Sequence, residues 1–171
     1  MKVKTILAAT LLTTTLIHAN PSPFGLEIGK STVSMMKEKY SSKFVGINSL
    51  SQGDVYDLDP SELGIEGMQS ARVIYDKNGK LKGVFITFPK GKFQYLFGQM
   101  KSKYKLVTSN IPYVGDTSAK LTNGNTEIQL NAPHMSFEME LNYVDKNLLK
   151  IAKQKSSNDA QQKSKHEASQ L

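Results

Sequence analysis

FQYLFGQMKSKY, residues 93–104, decides how the chain is read. Phe93, Leu96, Phe97, Met100 and Tyr104 recur at steps of three and four, the period of a helix with one buried stripe. An earlier stretch, GKSTVSMMKEKY at residues 29–40, carries the same cassette. Val33, Met36 and Tyr40 fall where Phe97, Met100 and Tyr104 do, and both stretches close on Lys-x-Lys-Tyr. Strand-like sequence follows each. The pattern predicts an α+β fold of two tandem helix-plus-antiparallel-sheet repeats, about residues 26–88 and 91–152, with the helices packed on one face of the sheet.

Working outward, Leu26 and Ile28 alternate with polar residues and predict a short first strand, after which Ser31 or Thr32 caps the first helix. Residues 43–50, 55–58, 68–75 and 81–88 read as strands. The Asp76-Lys77-Asn78-Gly79 turn joins the last two, because Asn-Gly tolerates positive φ. After residues 93–104, strands are expected from residue 105, at 118–122 and at 126–131, the last two joined at Asn123-Gly124. Residues 135–143 alternate most cleanly. Met135, Phe137, Met139, Leu141 and Tyr143 are apolar; Ser136, Glu138, Glu140 and Asn142 are polar. That is the period of an antiparallel strand with one wet face. Residues 153–171 hold too little apolar surface to offset their ordering entropy, which predicts a disordered polar tail or a frayed helix.

The opening MKVKTILAATLLTTTLIHA has the make-up of a secretory signal: Lys2 and Lys4, an uncharged apolar run, and a small residue at Ala19. Cleavage after about Ala19 is expected to release one periplasmic domain, residues 20–152 plus the tail, that does not span the membrane. The chain has no cysteine, so neither disulfides nor a lipid anchor on cysteine are available. The formal charge is +7, nearly all of the positive charge being lysine. Outside the cytoplasm such a balance favours acidic proteins, lipid phosphates or anionic glycans over nucleic acid.

Catalytic chemistry finds few residues. His134 is the one histidine between leader and tail, no serine sits in a Gly-x-Ser-x-Gly elbow, and a structural zinc site lacks its ligands. Asp54, Asp57, Asp59 and Glu62 form the densest acidic group, but not at the spacing of a calcium loop. They read as turn and cap residues. No catalytic residue, metal or cofactor is therefore assigned, and the protein is expected not to be an enzyme. Lysines 77, 80, 82, 90, 92, 101, 103 and 105 make the main basic density.

An exported chain with two helix-then-meander units, the first opened by Ile28-Gly29-Lys30-Ser31-Thr32-Val33, is similar in layout to the β-lactamase-inhibitor-protein-like folds and to BamE-type envelope domains. The resemblance implies a binding module that grips a protein partner with its sheet face and loops. The expected function is thus a non-enzymatic periplasmic inhibitor or immunity partner of an exported enzyme or toxin. The alternative is an envelope factor that binds anionic lipid, lipopolysaccharide or cell-wall polymer through lysines. Candidate contacts are Tyr113, Asn123, Gly124, Glu138 and Glu140, with Lys101, Lys103 and Lys105 for anionic ligands.

Overall fold

The computed structural model describes residues 19–170; the expected leader, residues 1–18 of it, lies outside them. The described residues form one eight-stranded, wholly antiparallel sheet. In chain order its elements are α1 (Val33–Lys37), β1 (Ser42–Ile47), β2 (Gln52–Leu58), β3 (Ser70–Asp76), β4 (Leu81–Pro89), α2 (Phe93–Lys103), β5 (Lys105–Asn110), β6 (Thr117–Asn123), β7 (Thr126–Ala132), β8 (Glu138–Asp145) and α3 (Lys146–Ser169). The strand order is β1-β2-β3-β4-β8-β7-β6-β5.

This corrects the expected architecture. The strands do not form two helix-plus-sheet repeats; β4 pairs with β8 over seven residues, Gly83 opposite Val144 through Pro89 opposite Glu138, and fuses everything into one sheet. The first helix is five residues long, and the molecule is predominantly β. Thr32 does cap α1, its hydroxyl accepting from the Met35 amide at 3.3 Å. Beyond Lys37 the chain turns instead of extending the helix to Tyr40.

One face of the sheet is the core. Cross-strand pairs stack apolar side chains on it: Tyr56 with Val73, Val73 with Val84, Val84 with Tyr143, Tyr143 with Ile128, and Ile128 with Leu121. Met36 of α1 and Phe93, Leu96 and Met100 of α2 are buried in the same cluster, with Phe97 and Tyr104 packed against it. The stripe read from residues 93–104 is thus the contact face of α2.

Two local readings are corrected. Leu26 and Ile28 are fully buried but form no strand. A 3-10 turn at Pro23–Gly25 precedes them, and the Ile28 amide donates to the Pro21 carbonyl. Alternation there marks a coiled lead-in dropping two side chains into the core. The strand expected from residue 135 begins only at Glu138. The Ser136 amide donates to the Pro133 carbonyl, which makes a turn, and leaves Met135 and Phe137 outside the sheet at 89% and 93% exposed. The stretch 153–169, expected as a disordered tail or frayed helix, continues α3 with its side chains exposed.

The hairpin turns follow the sequence. Gly79 and Gly124 take φ of 69° and 53°, the left-handed region that their Asn-Gly signals supply. The edge strands β1 and β5 each carry a register break, at Phe44/Gly46 and Leu106/Thr108, which disrupts the free ladder that would otherwise recruit another strand.

Candidate functional site: the open face of the sheet

The face opposite the core is built by the same strands, one residue out of phase. In register, one row crosses all eight strands: Lys43, Asp57, Arg72, Phe85, Asn142, Gln129, Lys120 and Thr108. Beside it runs a second polar row: Ser70, Thr87, Glu140, Asn131, Ser118 and Asn110. A third row, Val55, Ile74, Gly83 and Val144, is apolar. It lies toward the end where α3 begins, and Leu148 of the first turn of α3 is also buried. The two polar rows remain open.

A cleft of about 440 Å³ lies on these rows, lined by Asp57, Ser70, Arg72, Phe85, Thr87, Glu140 and Asn142 among others. Arg72 grips Asp57 through two contacts, Nε to Oδ1 at 2.6 Å and Nη2 to Oδ2 at 3.0 Å. The hydrogen bond from Arg72, with its charge and that of Lys43, holds the Asp57 carboxyl below the usual carboxylate range, against a smaller opposing effect of burial. The same pairing raises the Arg72 guanidinium. Phe85 stands next in the row, its ring over Gly83; a Cβ on Gly83 would meet that ring at 2.6 Å. Glycine there lets the ring lie flat along the sheet.

Asn142 sits at the middle of the row and is only 6% exposed. Its Nδ2 donates to Glu140 Oε2 at 3.1 Å, while its buried Oδ1 has no partner among the described residues. Buried acceptors are nearly always satisfied, so this sealed, unpaired oxygen is an exception among the residues lining the cleft.

The expected contacts separate. Glu140 lines the cleft. Glu138 and Tyr113 lie at the strand ends where the longer loops gather, and Tyr113 is fully exposed. Asn123 and Gly124 lie at the opposite end and are engaged internally: Asn123 Nδ2 donates to the Ala19 carbonyl at 3.2 Å, and the Gly124 carbonyl accepts from Lys146 Nζ at 2.8 Å. Lys101 and Lys103 are exposed in the last turn of α2, where their charge suits the helix C-terminus, and Lys105 follows at the start of edge strand β5. The lysine density does not gather on one surface. Lys82 reaches Asp145 at 3.4 Å, Lys90 donates to the Pro133 and His134 carbonyls, and Lys92 pairs with Glu66 at 3.8 Å.

The four clustered carboxylates go separate ways. Asp54 accepts from the Tyr56 hydroxyl, Asp57 holds Arg72, Asp59 caps the turn at Ser61, and Glu62 binds the Ser41 amide and hydroxyl, both at 2.7 Å. Among the described residues no group of three or more His, Asp or Glu is gathered to hold a metal.

No family model, curated protein or solved structure matches this chain.

Sequence reading missed Arg72, Phe85 and Asn142. A signal was present. Residues 70–76 alternate, so Arg72 had to face away from Val73, and Asn142 had to face away from Leu141 and Tyr143. Which strands lie side by side, and so which polar residues share a row, is not encoded in alternation.

Proposed function

We propose that this chain is an exported, non-enzymatic protein-binding module, an inhibitor or immunity partner of an exported enzyme or toxin, that holds its partner on the open face of the sheet. Export rests on residues 1–19 of the sequence. The observation that supports the binding reading is the open polar face of the sheet, with a cleft of about 440 Å³ lined by Arg72, Phe85, Thr87 and Glu140 on it. Side chains on a sheet are already ordered, so docking on them loses little conformational freedom. Eight strands spaced by about 4.8 Å give a face roughly 34 Å across, the scale of an interface burying about 800 Å² per partner. The row mixes an anchored ion pair, an aromatic ring and amides, which favours a polar protein surface over an acyl chain.

The test is affinity capture. The full chain, expressed with its leader and a C-terminal tag, is recovered from periplasmic extract at low and high salt. One stoichiometric protein retained at high salt is the expected result. Thr87→Arg places a bulky cation in the open face and should weaken that capture at least tenfold while leaving the melting temperature within a few degrees. Retention of lipid or polymer alone, lost at high salt, would replace this reading with the lysine-dependent one.

A further inference from the structure

At the end of the sheet away from α3, two neighbouring loops carry side chains that a water-facing loop does not need. Tyr113 in the β5–β6 loop is 104% exposed, as open as in an extended peptide, and Val114 beside it is 65% exposed. Met135 and Phe137 of the β7–β8 loop are almost as open. Scattered single apolar residues are ordinary on a surface, but four on two loops joined by the Asp116–His134 hydrogen bond put separate apolar side chains within reach of one partner.

The loops are braced from behind. Asp116 ties them together, its Oδ1 accepting from the His134 amide at 2.8 Å. Its own carbonyl accepts from Asn110 Nδ2 at 3.0 Å. Lys90 supports the second loop from the far side: its amide donates to the Phe137 carbonyl at 2.8 Å, and its ammonium to the carbonyl of His134 at 2.9 Å. The polar backbone is thus fixed while the apolar side chains project, an arrangement that lowers the entropy lost on docking.

Charge selects the occupant. The loops at this end and the strand start beside them hold Asp59, Glu62, Glu66, Asp116 and Glu138. Of the lysines there, Lys90 is held by loop carbonyls, Lys92 faces Glu66 and Lys43 faces Asp57 across β1 and β2, so carboxylates still outnumber ammonium groups. An anionic bilayer is repelled by such a rim. A protein with an apolar socket edged by Lys or Arg is attracted by it.

We propose that the loops at residues 111–116 and 133–137 anchor a protein partner, Tyr113, Met135 and Phe137 entering an apolar socket with a basic rim. The proposal rests on the protein-binding reading above and adds the second point of grip and the partner's chemistry. Aromatic anchors of this kind carry much of an interface's affinity.

The test starts from the partner captured above, purified and titrated calorimetrically with the full chain. The double variant Y113S/F137S should bind at least 100-fold more weakly, with an unchanged melting temperature because both side chains are already in water. Glu138→Lys should slow association about tenfold and flatten its salt dependence. A partner that binds the loop variant as tightly as wild type, yet loses Thr87→Arg, overturns the loop anchor and leaves the open-face reading standing. Sedimentation of the wild type, but not Y113S/F137S, with phosphatidylglycerol vesicles overturns it in favour of lipid insertion. Retention of no protein at either salt overturns both readings.

Discussion

Asn142 and Tyr143 are neighbours in β8 and face opposite ways. On the side of Tyr143, α1 and α2 close over Val84, Leu121, Ile128 and Leu141, and the ring is buried with its hydroxyl donating to Met100 Sδ at 3.1 Å. On the side of Asn142 no helix among the described residues covers the two polar rows, and its carbonyl oxygen has no hydrogen-bond partner among them. Both residues are nearly inaccessible to solvent, at 5% and 6%. Burial alone therefore does not separate the two faces; what each residue packs against does. The covered face stabilises by removing apolar surface from water. The two polar rows of the open face remove less apolar surface from water and contribute less to folding.

The largest effect that sharpens this contrast is a pair of substitutions one residue apart. Phe88 is fully buried on the covered face, and Thr87 lies on the open one. Phe88→Ala should lower unfolding free energy in urea by about 3–5 kcal/mol, through lost transfer energy and the cavity left behind. Thr87→Ala should change it by less than about 0.5 kcal/mol. Comparable losses would mean that the open face is a second core and not a binding surface.

Much of the covered face was legible in sequence, because it follows from periods of 3.6 and 2. The stripe of Phe93, Leu96 and Met100 is the buried side of α2, and Met139, Leu141 and Tyr143 are the buried side of β8. The same rule overran at Met135 and Phe137, where alternation continues past the point at which Pro133 and Ser136 turn the chain. It failed too at Leu26 and Ile28, whose burial is set by the coil before α1. The single sheet was illegible for another reason: β4 and β8 are separated by α2 and three strands, and no local pattern records that they pair. The open-face site inherits that blindness, since its row exists only once β4 lies beside β8.

The next test uses pH on the covered face. Burial first, and the neighbouring Tyr56 second, raise the phenol of Tyr75; burial first, and Tyr104 second, raise that of Tyr143. Such a group is neutral in both states below its unfolded value of about 10, and its contribution is fully present there. Above that the unfolded chain ionises first, so stability falls as pH rises toward the folded value. The slope is about 1.4 kcal/mol per pH unit for each phenol. Burial raises Tyr104 as well, so thermal unfolding between about pH 9 and 12 should show this drop, and Tyr143→Phe should lower its slope by up to about 1.4 kcal/mol per pH unit. Tyr75 adds a sign test at neutral pH. Its hydroxyl is buried without a partner among the described residues, so Tyr75→Phe should leave stability unchanged or raise it by about 1 kcal/mol. A loss above that size would mean the hydroxyl is satisfied after all, and that the core side tolerates unpaired groups no better than ordinary interiors do.

The smallest effect belongs to the open face. Arg72 and Asp57 are about half exposed, 49% and 42% by side chain, so water and salt screen their attraction despite the two-point geometry. A double-mutant cycle with Arg72→Gln and Asp57→Asn should give a coupling below about 1 kcal/mol, smaller still at high salt. The pH dependence has a fixed direction. The Asp57 carboxyl is depressed in the folded protein, so its contribution is present above the unfolded value of about 3.9 and lost as pH falls through the lower folded value. If the open face binds a partner, the same cycle measured on binding should give a much larger coupling, because docking removes the water that screens the pair. A pair that couples weakly in both folding and binding would leave Arg72 and Asp57 as solvated surface charges and shift the specificity of the face to Phe85 and Asn142.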